Sequence, residues 1–116
     1  MPLNATIEKL PEGKAVIALV GPMTLGSSLK LADAQIQAAI ANGVTSIVFD
    51  LTGVDYVDSA GLGVLVYTYG ALNQKGGSLR LCGVAARVLS LLQLTRTDSF
   101  LPIDPGREES LAALGS

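Results

Sequence analysis

The sequence predicts an α/β domain, a mixed sheet of about five strands with four helices, and three observations carry that prediction. Short β-branched runs alternate with segments whose apolar residues recur every three or four positions. The first two runs are separated only by turn residues, so they pair as a hairpin. Glycines stand where each of the two longest helical patterns ends. At 116 residues the chain has the size of one domain, and a single domain over residues 1–116 is expected.

Each element has its own reason. "ATIEKL" and "KAVIALV" flank "PEG", where Pro11 fixes φ and Gly13 accepts a positive φ, giving the opening hairpin. After the loop "GPMTLGSS", the spacing of Leu29, Ala32, Ile36, Ala39 and Ile40 predicts an amphipathic helix. Ser27 or Ser28 is its candidate cap and Gly43 its stop. "SIVFDL" reads as a central strand covered on at least one face. Leu62, Leu65, Val66, Tyr69 and Leu72 predict a second helix, starting near Ala60 and stopped by Gly76 and Gly77. "SLRLCGV" is a further strand, and "AARVLSLLQL" a short helix with Val88, Leu91 and Leu92 facing inward. "FLPI" is a brief last strand in which Pro102 suits an edge. "DPG" turns the chain into a terminal helix, "REESLAALG", that docks through Leu111 and Leu114. The order ββαβαβαβα implies strands that are mostly parallel after the hairpin.

Composition removes several functions. Hydrophobic residues make up 49% and mean hydropathy is +0.48, against disorder. No apolar run reaches the roughly 18 residues of a membrane span, and "MPLNATIEKL" lacks the pattern of a signal peptide. The expected location is the cytoplasm, with no membrane contact. The net charge is −2, the eight Lys and Arg residues are scattered, and there is no Trp, so no nucleic-acid surface is expected. The chain has no histidine, which excludes His-ligated zinc and Ser-His-Asp triads. Cys82, the one cysteine, allows no intramolecular disulfide and reads as a small core residue. Neither G-x-x-x-x-G-K-[ST] nor G-x-G-x-x-G occurs, and no cofactor is expected.

The informative stretch is "YVDSAGLGVLVY", residues 56–67. It lies where a strand hands over to a helix, the place at which sites gather in open α/β sheets. Asp58 or Ser59 can cap the helix. Ala60 and Gly61 leave its first turn small, although Gly61 and then Gly63 each cost up to ~1 kcal/mol against Ala. A small-residue helix start favours close approach by another molecule, and its free N–H groups tolerate an anion. Three roles for Ser59 stay open on residue types alone: cap, phosphoacceptor or docking residue, and nucleophile. The last is the weakest, because the leading glycine of G-x-S-x-G is absent and Lys75 lies roughly 20 Å along the same helix. Asp50, Asp55 and Asp58 could be gathered around Mg²⁺, but solvated or capping roles are favoured. Tyr56, Tyr67 and Tyr69 are expected at core edges with their hydroxyls in water.

"SIVFDLTGVDYVDSAGLGVLV" resembles the signature of STAS domains, in particular bacterial anti-sigma factor antagonists. "KGGSLRLCGV", "VLSLLQLTRTDSFLPI" and "REESLAALG" resemble the elements that follow in that family. The resemblance implies a small sheet with helices packed mainly on one face. It implies partner switching: the antagonist binds an anti-sigma factor that is a serine kinase, is released on phosphorylation, and is reset by a phosphatase. It makes Ser59 the phosphorylation site and places Met23, Thr24, Asp58, Ala60, Gly61 and Leu62 with Ser59 at the partner surface. Ala60 stands where many members have a second serine. Thr24 stands where the family often has an acid, so that position offers a hydrogen bond and no charge. A non-switching role in a transport system or sensory scaffold is the alternative, and a small-molecule binder a weaker one. An exposed sheet edge would allow weak dimers.

Overall fold

A computed structural model describes residues 1–114. The chain runs β1 (Asn4–Lys9), β2 (Lys14–Val20), α1 (Ser27–Ala41), β3 (Ser46–Gly53), α2 (Ser59–Gln74), β4 (Ser78–Cys82), α3 (Ala86–Leu94), a 3₁₀ turn (Thr97–Ser99), β5 (Ile103–Asp104) and α4 (Arg107–Leu114). The sheet order is β1-β2-β3-β4-β5, antiparallel for β1–β2 and parallel from there on. The expected fold class and element order hold. The 3₁₀ turn is an addition, and the last strand is shorter than "FLPI": Pro102 sits just before it and gives its carbonyl to the Leu81 N–H at 2.8 Å.

Strand alternation sorts the core into two layers. Ile17, Leu19, Ile47, Phe49, Leu51, Leu79 and Leu81 face α1, α2 and α3. Val16, Val48 and Cys82 face α4, which docks through Leu114 with Leu111 beside it. Three helices therefore share one face and the fourth covers the other. The predicted stripe of α1 is buried at all five positions.

Both long helices end on their predicted glycines. After α2, Gly77 N–H reaches Leu72 O and Gly76 N–H reaches Asn73 O, each at 3.0 Å, with Gly76 at φ 75°. At the start of α1 the expectation fails: Gly26 is the cap residue and no side chain caps it. The Ser28 hydroxyl instead accepts from Leu3 N–H at 3.1 Å, which ties the chain start to α1.

Two features give testable stability effects. Thr68, on the buried face of α2, is fully buried and its hydroxyl has no hydrogen-bond partner among the described residues. Thr68→Val removes that unmet group while keeping its shape, and is expected to stabilise the fold by about 1 kcal/mol in urea unfolding. A drop in stability would show that the hydroxyl finds a partner.

Among the described residues the α4 face also carries three ion pairs, Arg80–Asp104, Arg107–Asp50 and a longer Arg107–Glu8 contact. Asp104 accepts from Arg80 at 2.7 and 3.0 Å and from the buried Ser110 hydroxyl at 2.7 Å. Arg80 holds the Asp104 carboxyl below its ordinary 3.8 against partial desolvation. Partial burial pushes Asp50 up, but hydrogen bonds from Thr52 and Arg107 outweigh it and leave Asp50 lowered. Carboxyls lowered by folding add stability that is fully present above their unfolded value and lost as pH falls through the folded values. The thermal midpoint should therefore hold from pH 7 to about 5 and fall below about 4. Asp104→Asn should flatten that acid limb.

Candidate functional site

The site begins with two loops that the sequence places far apart. Residues 21–26 link β2 to α1, and residues 54–58 link β3 to α2. Met23 and Val57 form an isolated parallel bridge. Met23 N–H donates to Tyr56 O at 2.9 Å and Asp58 N–H donates to Met23 O at 3.1 Å. Thr24 and Asp58 are thus neighbours at the edge where the parallel strands end and α1, α2 and α3 begin.

Asp58 is the N-cap of α2, in extended conformation. Its Oδ1 accepts from Gly61 N–H at 3.0 Å and its Oδ2 from Leu25 N–H at 2.9 Å. One carboxylate therefore starts the helix and pins the neighbouring loop. These bonds, from Leu25 first and Gly61 next, hold the Asp58 carboxyl below its ordinary value, so it stays ionised at neutral pH.

Because Asp58 does the capping, Ser59 does not. Ser59 is the first helical residue and is exposed, and its hydroxyl makes no hydrogen bond among the described residues. Ala60 and Leu62 are half-buried and pack against the core. Thr24 is half-buried.

Two of the expected surface residues are not at the surface. Met23 is fully buried. Gly61 is buried too, and a Cβ there would collide with the Met23 carbonyl oxygen and lie 2.7 Å from the Met23 Cβ. The glycine makes room for the chain's own β2–α1 loop, not for a visiting molecule. The Met23 side chain is thus held in the core, and Gly61 has none to present. The open glycine is Gly63, which is exposed; a methyl group added there would meet nothing within 4 Å.

The surface around Ser59 includes residues that the motif alone does not point to. A groove of about 390 Å³ runs between residues 56–59 and α3. Arg87, Ser90, Leu91 and Leu94 form its α3 wall. Leu94 is 83% exposed, Leu25 on the other side of Ser59 is 75% exposed, and Tyr56 is 42% exposed. The Arg87 guanidinium lies over the Tyr56 ring, 4.8 Å from its centroid. A sequence signal exists: residues 87, 90 and 94 follow helical spacing on a face turned away from the buried Val88 and Leu92, with Leu91, which packs partly against the core as expected, at its border. Tyr69 contacts Phe100 at 5.2 Å between ring centroids, and Tyr67 is 65% exposed.

The other candidates are separated from this place. Asp50 binds Thr52 and Arg107, and among the described residues no three His, Cys, Asp or Glu side chains gather as a metal site. Lys75 donates to Ile40 O at 3.1 Å at the far end of α2, out of reach of Ser59. No described helix is long and apolar enough to cross a membrane. What the arrangement provides is a free hydroxyl on an anion-tolerant helix start, flanked by exposed apolar side chains.

Comparison with known proteins agrees with this geometry. The STAS domain profile matches residues 5–110. BtrV of Bordetella bronchiseptica, a proposed anti-sigma factor antagonist, is 29% identical over 111 residues, covering 96% of this chain and 94% of that protein. An anti-sigma factor antagonist from Mycobacterium paratuberculosis has the same fold, with a TM-score of 0.85 at 23% identity, over 98% of this chain and 95% of that one. SpoIIAA in its unphosphorylated form superposes with a TM-score of 0.83 at 20% identity, over 97% and 96% of the two chains. With the hairpin-led parallel sheet, the Asp58–Ser59 helix start and a profile that spans nearly all of it, this chain belongs to the STAS domain family.

Proposed function

We propose that this protein is a bacterial, cytoplasmic anti-sigma factor antagonist, a non-catalytic module that switches partners through Ser59. The observation that carries the reading is the division of labour at the start of α2: Asp58 takes the structural bonds and leaves the Ser59 hydroxyl exposed and unengaged. In the unmodified state the anti-sigma factor docks over Ser59, Leu62, Gly63 and the apolar rim of Leu25, Tyr56 and Leu94. The anti-sigma factor, as a serine kinase, then transfers the terminal phosphoryl group of ATP to the Ser59 oxygen. The new O–P bond replaces the one to ADP, which leaves, and the hydroxyl proton is released. The product carries about −1.5 to −2 charges at that point. Partner groups packed there are repelled and left poorly solvated, and the complex dissociates. A phosphatase restores the hydroxyl.

Incubation with the anti-sigma kinase and ATP, followed by mass spectrometry of the peptide containing Ser59, tests this. One phosphoryl group on Ser59 is expected, and none on the Ser59→Ala chain. Modification elsewhere only, or none by a kinase that binds the chain, would contradict it.

A further inference from the structure

Arg87 occupies an electrostatically unfavourable place. It lies in the first turn of α3, where the helix dipole is positive and acids are the usual residues. No acid is present in that turn and no side chain caps the helix. Among the described residues Arg87 is exposed and has no carboxylate partner; its one contact of note is the face of Tyr56. It lines the same groove as Ser59, the first residue of α2. Two helix starts and a guanidinium without a counter-ion thus border one groove.

The surrounding charges do not satisfy that cation. The β2–α1 loop, residues 21–26, has none. Residues 54–58 supply Asp55 and Asp58, and Asp58 is already bonded to Leu25 and Gly61. α3 itself carries Arg87 alone. What fits is an oxygen-rich dianion on the opposite wall, since a guanidinium fork matches a phosphate with two parallel hydrogen bonds.

We propose that Arg87 is the intramolecular receptor for a phosphate on Ser59: the guanidinium leaves the Tyr56 ring and bridges the groove to the phosphate. This rests on the reading of Ser59 as the phosphoacceptor. It adds a second element to the switch. The phosphate does more than repel the partner, because the bridge spans the groove between residues 56–59 and α3 and closes it to the partner. Arg87 is here a positioning residue and takes no part in phosphoryl transfer.

The test uses the full chain with phosphoserine placed at position 59 during translation, so it needs no kinase. The phosphate is titrated by phosphorus NMR in the parent and in R87Q. Beside Arg87 the second ionisation should lie below the ordinary value of about 6. R87Q should shift it up by about half a unit or more, and R87K should recover part of the difference. Added salt should shrink the gap between parent and R87Q. Superimposable titration curves for parent and R87Q would overturn the proposal. That result would leave the partner-switch reading intact, because the reading is decided by whether the kinase modifies Ser59.

Discussion

Gly61→Ala is expected to destabilise the protein by about 3 kcal/mol, at the upper end of the usual overpacking cost. For a chain of this size that lowers the thermal midpoint by roughly 12 °C. The added methyl meets backbone, the Met23 carbonyl, with the Met23 Cβ beside it, and no flexible side chain can swing aside. The same carbonyl accepts the Asp58 N–H at 3.1 Å. Moving it therefore strains the Met23–Val57 bridge and draws Leu25 away from the Asp58 carboxylate as well. Gly63→Ala, two residues along the same helix, is the matched control. Nothing lies within 4 Å of its methyl, so it should stabilise by up to ~1 kcal/mol. Urea and thermal unfolding of both variants measure the contrast. Equal effects at the two positions would mean that α2 does not rest on the β2–α1 loop as described.

Ser59→Asp is expected to weaken binding to the anti-sigma factor roughly hundredfold, about 2.7 kcal/mol, while the thermal midpoint moves by no more than a few degrees. The stability half follows from position. Ser59 makes no side-chain bond that the change would break, and an acid in the first turn of a helix is favoured by its dipole. Repulsion from Asp58 beside it offsets part of that gain. The binding half follows from placing a carboxylate inside the proposed contact surface, rimmed by the exposed Leu25, Tyr56 and Leu94. Ser59→Ala should retain binding and escape release. Calorimetric titration of the three chains, with thermal scans, separates the two halves. Unfolding of Ser59→Asp would make the serine structural.

The elements are legible in the sequence because their signals are local. The Leu29 to Ile40 stripe, the glycines after α1 and α2, and the alternation in "SIVFDL" all report on neighbours in sequence, and the fold follows them. The site is half legible. Its centre, Asp58–Ser59 at a strand-to-helix junction, is a local pattern and stands where expected. Its boundaries depend on what packs across from it, and periodicity carries no such information. Gly61 shows the difference. A small residue in a first helical turn leaves space, but the sequence does not say whether that space is filled from outside or by Met23, 38 positions earlier. Ser28 misleads for the same reason: its hydroxyl serves Leu3 N–H across 25 positions and not its own helix. Leu94 and Arg87 are hidden behind the stronger inward stripe of Val88 and Leu92, although the other face of α3 has its own spacing.

Loading the site with the proposed modification tests the proposed switch most directly. With phosphoserine at position 59, the affinity for the anti-sigma factor and the amide NMR spectrum should be recorded side by side. Binding should fall at least as far as in Ser59→Asp. Amide shifts should be confined to residues 23–26, 56–63 and 86–94, with the sheet and α4 unmoved. Retained affinity, or shifts spread through β1 to β5, would contradict an exposed hydroxyl that gains and loses a dianion on an undisturbed scaffold.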